Sequence, residues 1–115
     1  SRMTESTEFY ANGKVALVEL PQAWLDELGA SEDDVDSIAG FARAIEGVEL
    51  GITVRDVEDG NGKLSLRTSG KYDACKLCQE LGGGGHAAAA GATVPGGIAG
   101  AKRAILDVLR RKGIL

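Results

Sequence analysis

Apolar and polar positions along this chain repeat with two periods, and the switches between them mark out its elements. Thr7 to Ala11 and Lys14 to Leu20 flank Asn12-Gly13, a two-residue turn signal that predicts a β-hairpin. Val15-Ala16-Leu17-Val18 is apolar at every position, as in an interior strand covered on both faces. Pro21 and Gly29 bracket a short helix over 21–28. Ser31 reads as an N-cap followed by Glu32, Asp33 and Asp34, acids that suit a first helical turn. The helix beyond it puts Val35, Ile38, Ala42 and Ile45 on one face. Period two returns with Val48, Leu50, Ile52 and Val54 facing one way. Glu58 to Gly62 is a turn, and Leu64 and Leu66 begin the return strand. Asp73 caps a helix to Leu81 that buries Ala74, Leu77 and Leu81. Ala92-Thr93-Val94 predicts a short strand, and Pro95-Gly96-Gly97 turns into a last helix. In that helix Ile98, Ala101, Ile105 and Val108 point inward, while Lys102, Arg103, Asp107 and Arg110 face water. The expected fold is α/β: a single domain with one mixed sheet of about five strands and helices packed on it.

Composition narrows this to one ordinary globular unit, with 115 residues, 43% apolar and 26% charged. Segment 1–5, opening Ser1-Arg2-Met3, reads as an expression remnant or linker, and 6–115 as the domain. No apolar run approaches a membrane span and no basic-then-apolar leader is present, so no membrane partner is expected. Two cysteines without a secretory signal suit a reducing cytoplasm. The net charge of −4 argues against tight, non-specific duplex binding. It leaves room for a small pocket holding one or two phosphates, where local groups dominate.

The chemistry concentrates in Gly82-Gly83-Gly84-Gly85-His86-Ala87-Ala88-Ala89-Ala90-Gly91, which holds the one histidine of the chain. Four successive glycines add no side chain to a core and cost backbone entropy, so packing is not expected to explain them. They suit a backbone that approaches a ligand closely or points several N–H groups at one place, as phosphate sites do. A flexible loop, an overlong helix C-cap and a loose dinucleotide fingerprint are the plainer readings. The fingerprint fails because these glycines leave a helix rather than a strand. Gly82 alone satisfies a C-cap. His86 as a lone residue is either a satisfied core imidazole or a phosphate contact. Arg67 lies on the strand face opposite Leu64 and Leu66, beside Ser65 and Ser69, either as a solvated arginine or as a guanidinium clamp on phosphate. Cys75-Lys76-Leu77-Cys78 lacks the further ligands that zinc needs and reads as packing thiols. Arg110-Arg111-Lys112 reads as favourable charge at a helix C-terminus.

Gly83-Gly84-Gly85-His86-Ala87-Ala88-Ala89-Ala90-Gly91 resembles the G-G-G-H-x-x-A-A-G hallmark of the DHH-associated domain, type 1. This is the C-terminal domain of DHH-family phosphoesterases, and the likeness is to the oligoribonuclease and cyclic-dinucleotide phosphodiesterase branch. It is sharp from Val48 onward and includes the arginine-bearing strand over 64–69 and the helix over 73–81. The resemblance implies a substrate- and phosphate-binding role for Arg67, Ser69, Gly83, Gly84, Gly85, His86, Ala89 and Ala90. The implied ligand is a short single-stranded oligonucleotide or a linear or cyclic dinucleotide. The implied partner is an N-terminal DHH domain of the same protein, holding manganese or magnesium, with a homodimer as the full-length assembly. No Asp-His-His motif occurs in this chain, so catalytic residues are not expected within it. A free-standing nucleotide-binding module is the alternative. A tRNA-binding synthetase C-terminal domain is disfavoured by the acidic balance.

Overall fold

The computed structural model describes residues 7–115, so the reading of 1–5 as a remnant or linker lies outside the described residues. Eleven residues into the sequence the first departure appears. β1 (Thr7–Tyr10) and β2 (Val15–Leu20) pair antiparallel, with Tyr10 opposite Val15. The connection is therefore the four residues 11–14 rather than the two-residue Asn12-Gly13 turn. Ala11, Asn12 and Gly13 are all left-handed, at φ 53°, 56° and 82°. Asn12 and Gly13 supply the left-handed backbone expected of them; Ala11 is left-handed as well, so Ala11 and Lys14 drop out of the ladder while its register stays the one a two-residue turn would give.

α1 (Gln22–Leu28) follows, with Pro21 as N-cap and Gly29 as its left-handed C-cap. α2 (Glu32–Ala44) begins with a reciprocal capping box between Ser31 and Asp34. β3 (Leu50–Asp56) runs parallel to β2 and antiparallel to β4 (Asn61–Thr68), joined through a short 3-10 turn at Glu58–Gly60. α3 (Ala74–Gln79) is capped by the Asp73 carboxylate and ends before Leu81. β5 (Gly84–Gly85) and β6 (Ala89–Pro95) form a hairpin, and α4 (Gly97–Arg111) closes the chain. The sheet has six strands in the order β1-β2-β3-β4-β6-β5. The strand beyond the expected five is β5, made from two glycines of the run. β6 is also longer than Ala92–Val94, because Ala89 to Gly91 pair fully with β4.

Two clusters of buried side chains hold the layers together. On one sheet face Leu17, Ile52, Leu66 and Ala90 lie in one cross-strand row beneath α3 and α4, and Val54, Leu64 and Ala92 in the next. On the other face Val18 and Leu20 meet Leu25 of α1 with Val35 and Ala42 of α2. α2 rests directly on bare backbone at Gly51, where a Cβ would stand 2.5 Å from the Arg43 nitrogen. β2 and β3 are thus covered on both faces, as the unbroken apolar run predicts. α4 is anchored at its start by Asp56, whose carboxylate accepts the Ile98 N–H at 2.9 Å. Lys102, expected to face water, instead pairs with Glu8 and Glu19, which share the sheet face that α4 covers. That pairing holds the Glu8 carboxyl below its usual range and raises Lys102.

Candidate functional site

Beyond the reach of α2, the second face of the sheet is bare. β4, β6 and β5 present only what their own residues carry there. Strand alternation gives that face Lys63, Ser65 and Arg67 from β4, with Ala89, Gly91 and Thr93 from β6. Register then joins them into rows. Arg67 sits opposite Ala89, and Ser65 opposite Gly91, which is opposite Gly84. His86 extends the first row: its N–H donates to the Ala89 carbonyl at 2.7 Å, and the Ala89 N–H donates back at 3.2 Å. Arg67, Ala89 and His86 therefore lie in one line across β4, β6 and the residue that follows β5, with the Cα atoms of Arg67 and His86 about 10 Å apart at ordinary strand spacing.

The glycines owe much of their identity to this hairpin, contrary to the expectation that packing would not explain them. A Cβ on Gly83 would stand 2.1 Å from the Gly91 carbonyl oxygen, and one on Gly85 2.7 Å from that of Ala89. Their N–H groups do not fan out as an open anion cradle either. The Gly83 N–H is spent on the Cys78 carbonyl at 2.9 Å. Gly84 differs, since nothing lies within 4 Å of its missing Cβ and its φ is unexceptional. It shares the exposed face with Gly91 and is the glycine of the run, with Gly82, that neighbouring atoms do not demand.

The hairpin tip is held from two sides. The Ala88 carbonyl accepts the Thr68 N–H at 3.0 Å and the Ala87 carbonyl accepts the Ala74 N–H at 2.7 Å. His86 is exposed but stands on backbone tied to the end of β4 and the start of α3.

A shallow recess of about 200 Å³ forms between β4, β6 and α2, lined by Lys63, Ser65, Arg67, Ala89, Ala90, Gly91 and Asp36. Of the residues expected from the sequence, Arg67 and Ala89 meet in it. Ala90 turns its side chain into the core, 7% exposed, and contributes only backbone. Gly83, Gly84, Gly85 and His86 run along the adjoining hairpin. Ser69 lies past the end of β4, with its N–H bound to the Glu49 carbonyl at 3.2 Å, and does not line the recess. The Arg67 guanidinium donates to the Leu66 carbonyl at 3.0 Å and lies 3.8 Å from the Asp36 carboxylate, beyond hydrogen-bonding distance. Its remaining donors are available. Lys63, Gly91 and Asp36 were not singled out from the sequence as site residues. Counting back by twos from Arg67 would have reached Ser65 and Lys63, whereas nothing local places Asp36 there.

Other candidates resolve differently. A larger cleft of about 730 Å³ at the β3–β4 turn is lined by Glu32, Asp56, Glu58 and Asp59 against Lys63 and an Arg55 already paired with Glu32, so acids outnumber bases there and the setting is poor for phosphate. Arg111 and Lys112 both pair with Glu80, at 3.3 and 3.6 Å. Cys78 is buried, which pushes its thiol up to about 11, away from nucleophilic or metal-binding use. Among the described residues no three His, Cys, Asp or Glu side chains converge to hold a metal ion, and no helix is long and apolar enough to cross a membrane.

Comparison with known proteins agrees with this anatomy. Among solved structures, an exopolyphosphatase-related protein from Bacteroides fragilis superposes with a TM-score of 0.83 at 22% identity, over 96% of this chain and 32% of that one. A pGpG-specific phosphodiesterase, PggH, from Vibrio cholerae gives 0.61 at 15% identity, over 98% and 37%. These likenesses establish the fold. In sequence, 77 residues, 67% of this chain, are 40% identical to the bifunctional oligoribonuclease and PAP phosphatase NrnA of Thermus thermophilus. The chain thus spans only about a quarter of that relative, 24% of its length. The model of the DHHA1 domain matches residues 12–112, a stretch holding the arginine strand, the glycine–histidine hairpin and the helices behind them. By that match, this chain belongs to the DHHA1 domain family.

Proposed function

We propose that this domain holds a phosphodiester of a short oligonucleotide or dinucleotide on the bare face of β4 and β6, for hydrolysis by a DHH domain elsewhere in the same protein. The observation that carries the reading is the row Arg67–Ala89–His86, bordered by Gly84 and Gly91. It puts a forked cation at one end and an imidazole at the other, with no side chain larger than a methyl between them. A flat strip of this kind lets a phosphate and its sugar lie close against backbone, while the planar guanidinium takes two phosphate oxygens. The name of the NrnA relative, an oligoribonuclease and PAP phosphatase, fits a ligand of this chemistry.

The manganese or magnesium that the resemblance implies has no donor set among the described residues. In this reading those ions belong to the companion domain. The role left to this chain is to bind and orient. Holding the phosphodiester in place converts part of a bimolecular encounter into a positioned one, a large share of what a hydrolase must supply. The two unpaired thiols suit a reducing compartment, and we place the protein in the cytoplasm.

Titration of the labelled chain with the dinucleotide pApA, followed by amide chemical shifts, tests this. Binding in the roughly micromolar-to-millimolar range is expected. Shifts should gather on Ser65, Arg67, Gly83 to His86, Ala89 and Gly91. Shifts confined to Arg110 to Lys112 would overturn the assignment. With millimolar manganese the chain alone should not hydrolyse the ligand. Turnover that disappears in His86→Ala would overturn the division of labour.

A further inference from the structure

Lys63 stands at the other end of the same face. It is two residues beyond Ser65 on β4, opposite Thr93 of β6, and its side chain points to the bare side. Its stem does not extend away into solvent. The Cε lies 3.8 Å from where a Cβ on Gly91 would be, so the aliphatic chain leans back along the strand over that glycine and towards the recess. Gly91 thereby leaves room for a cation as well as for a ligand. The ammonium is also uncommitted: among the described residues Lys63 has no ion-pair partner, whereas Lys71 and Lys112 each have one and Lys102 has two. It lines both the recess and the neighbouring cleft and so stands where the two meet.

The charges around it fix what it can hold. Asp36 bounds the recess on the α2 side, and Glu32, Asp56, Glu58 and Asp59 rim the cleft beyond, where the one other cation, Arg55, is paired with Glu32. Between these acids Arg67 and Lys63 make two cationic points with Ser65 between them. Their Cα atoms are four residues apart on one strand, about 13 Å at ordinary strand rise. The lean of Lys63 over Gly91, which lies opposite Ser65, brings its charged end back towards Arg67.

We infer that Lys63, with the Ser65 and Thr93 hydroxyls, forms a second anion subsite beside that of Arg67, so that the face selects ligands bearing two phosphates one nucleotide apart. A terminal phosphate would fill it as well as an internal one. The acid-rimmed cleft beyond Lys63 disfavours a third. This rests on the proposed use of the face and adds to it a count of phosphates and a residue that reads the count.

The test compares two ligands differing by one terminal phosphate, ApA and pApA, against the wild-type chain and its Lys63→Gln, Lys63→Arg and Arg67→Ala variants by isothermal titration. Wild type should prefer pApA by about 5- to 10-fold, as expected for one partly exposed charged contact. In Lys63→Gln that preference should fall to less than about twofold, and Lys63→Arg should retain most of it. The dependence of log affinity for pApA on log salt should become shallower by about 0.7 in Lys63→Gln, the loss of one single-strand phosphate contact. A wild-type preference that survives intact in Lys63→Gln overturns the inference, as does no preference in wild type. In either case, weakening of both ligands by Arg67→Ala leaves the proposed function standing. If wild type binds neither ligand, or Arg67→Ala changes nothing, the proposed use of the face fails, and this inference with it.

Discussion

The two faces of the β4–β6 ribbon are made by alternate residues of the same two strands, yet they do opposite work. Leu64, Leu66, Ala90 and Ala92 point one way and are at most 7% exposed beneath α3 and α4. Lys63, Ser65, Arg67, Ala89 and Gly91 point the other way, where α2 stops short, and border a shallow recess. Burying a leucine contributes about 1.5–3 kcal/mol relative to leaving it exposed, so the first face carries stability. The second face gains nothing comparable from its own contacts. Arg67 has one local hydrogen bond and one long approach to Asp36, and Lys63 has no ion-pair partner among the described residues. A sheet side left uncovered while its reverse is fully packed is one that can afford to meet a ligand.

Breaking the packed side should produce the largest effect. Leu66→Ala should destabilise the chain by about 2–5 kcal/mol, through lost burial and the cavity left behind. Ser65→Ala, its neighbour on the other face, should change stability by no more than about 0.5 kcal/mol. Urea denaturation of the two variants measures the contrast directly, and equal losses would erase it.

Arg67→Ala works on the other side. It should weaken dinucleotide binding by about 1.5–3 kcal/mol, the range for a hydrogen bond to a charged group, with a much smaller change in denaturation midpoint. Loss of stability with unchanged affinity would move Arg67 to the structural side.

The glycine run can be divided by the same criterion. Gly83→Ala should cost about 1–3 kcal/mol of stability, because the new methyl meets the Gly91 carbonyl and Ala92. Gly84→Ala should be tolerated in stability and should show its effect in ligand affinity, since its missing Cβ faces open space. If the two variants unfold alike, the hairpin does not separate structural from ligand-facing glycines in this way.

The smallest effect concerns the packed side alone. Cys78 should resist a thiol reagent at mildly alkaline pH in the native state, while half-buried Cys75 reacts, and both should react in urea. Burial raises the native Cys78 thiol from its ordinary 9.0 to about 11, so the unfolded chain loses this proton first. Stability from this group is therefore complete below about pH 9 and falls as pH rises towards about 11, so Cys78→Val should make the alkaline slope shallower, leaving what Tyr10 and Lys102, also raised, contribute. An unchanged slope in that variant would show that Cys78 does not titrate in this way.

Much of this was written locally. The apolar run over Val15 to Val18, the Ser31 cap with its acids, and the alternation at Leu64 and Leu66 each predict an element that forms, because capping and side-chain periodicity act within a few residues. The same alternation puts Arg67 on the face away from the leucines. The nine-residue glycine–histidine pattern was enough to indicate the family. What no local pattern could supply was pairing. That Gly84 and Gly85 become a strand, that Gly83 and Gly85 are glycines because β6 lies against them, and that Ala90 is core while Ala89 is surface all follow from register with β4 and β6. Asp36 reaches the recess only because α2 packs across Gly51. Helix caps and alternation are decided by neighbours in sequence, whereas register and the bare half of a sheet are decided by which distant surfaces find apolar cover, and those contacts exist only once the chain has folded.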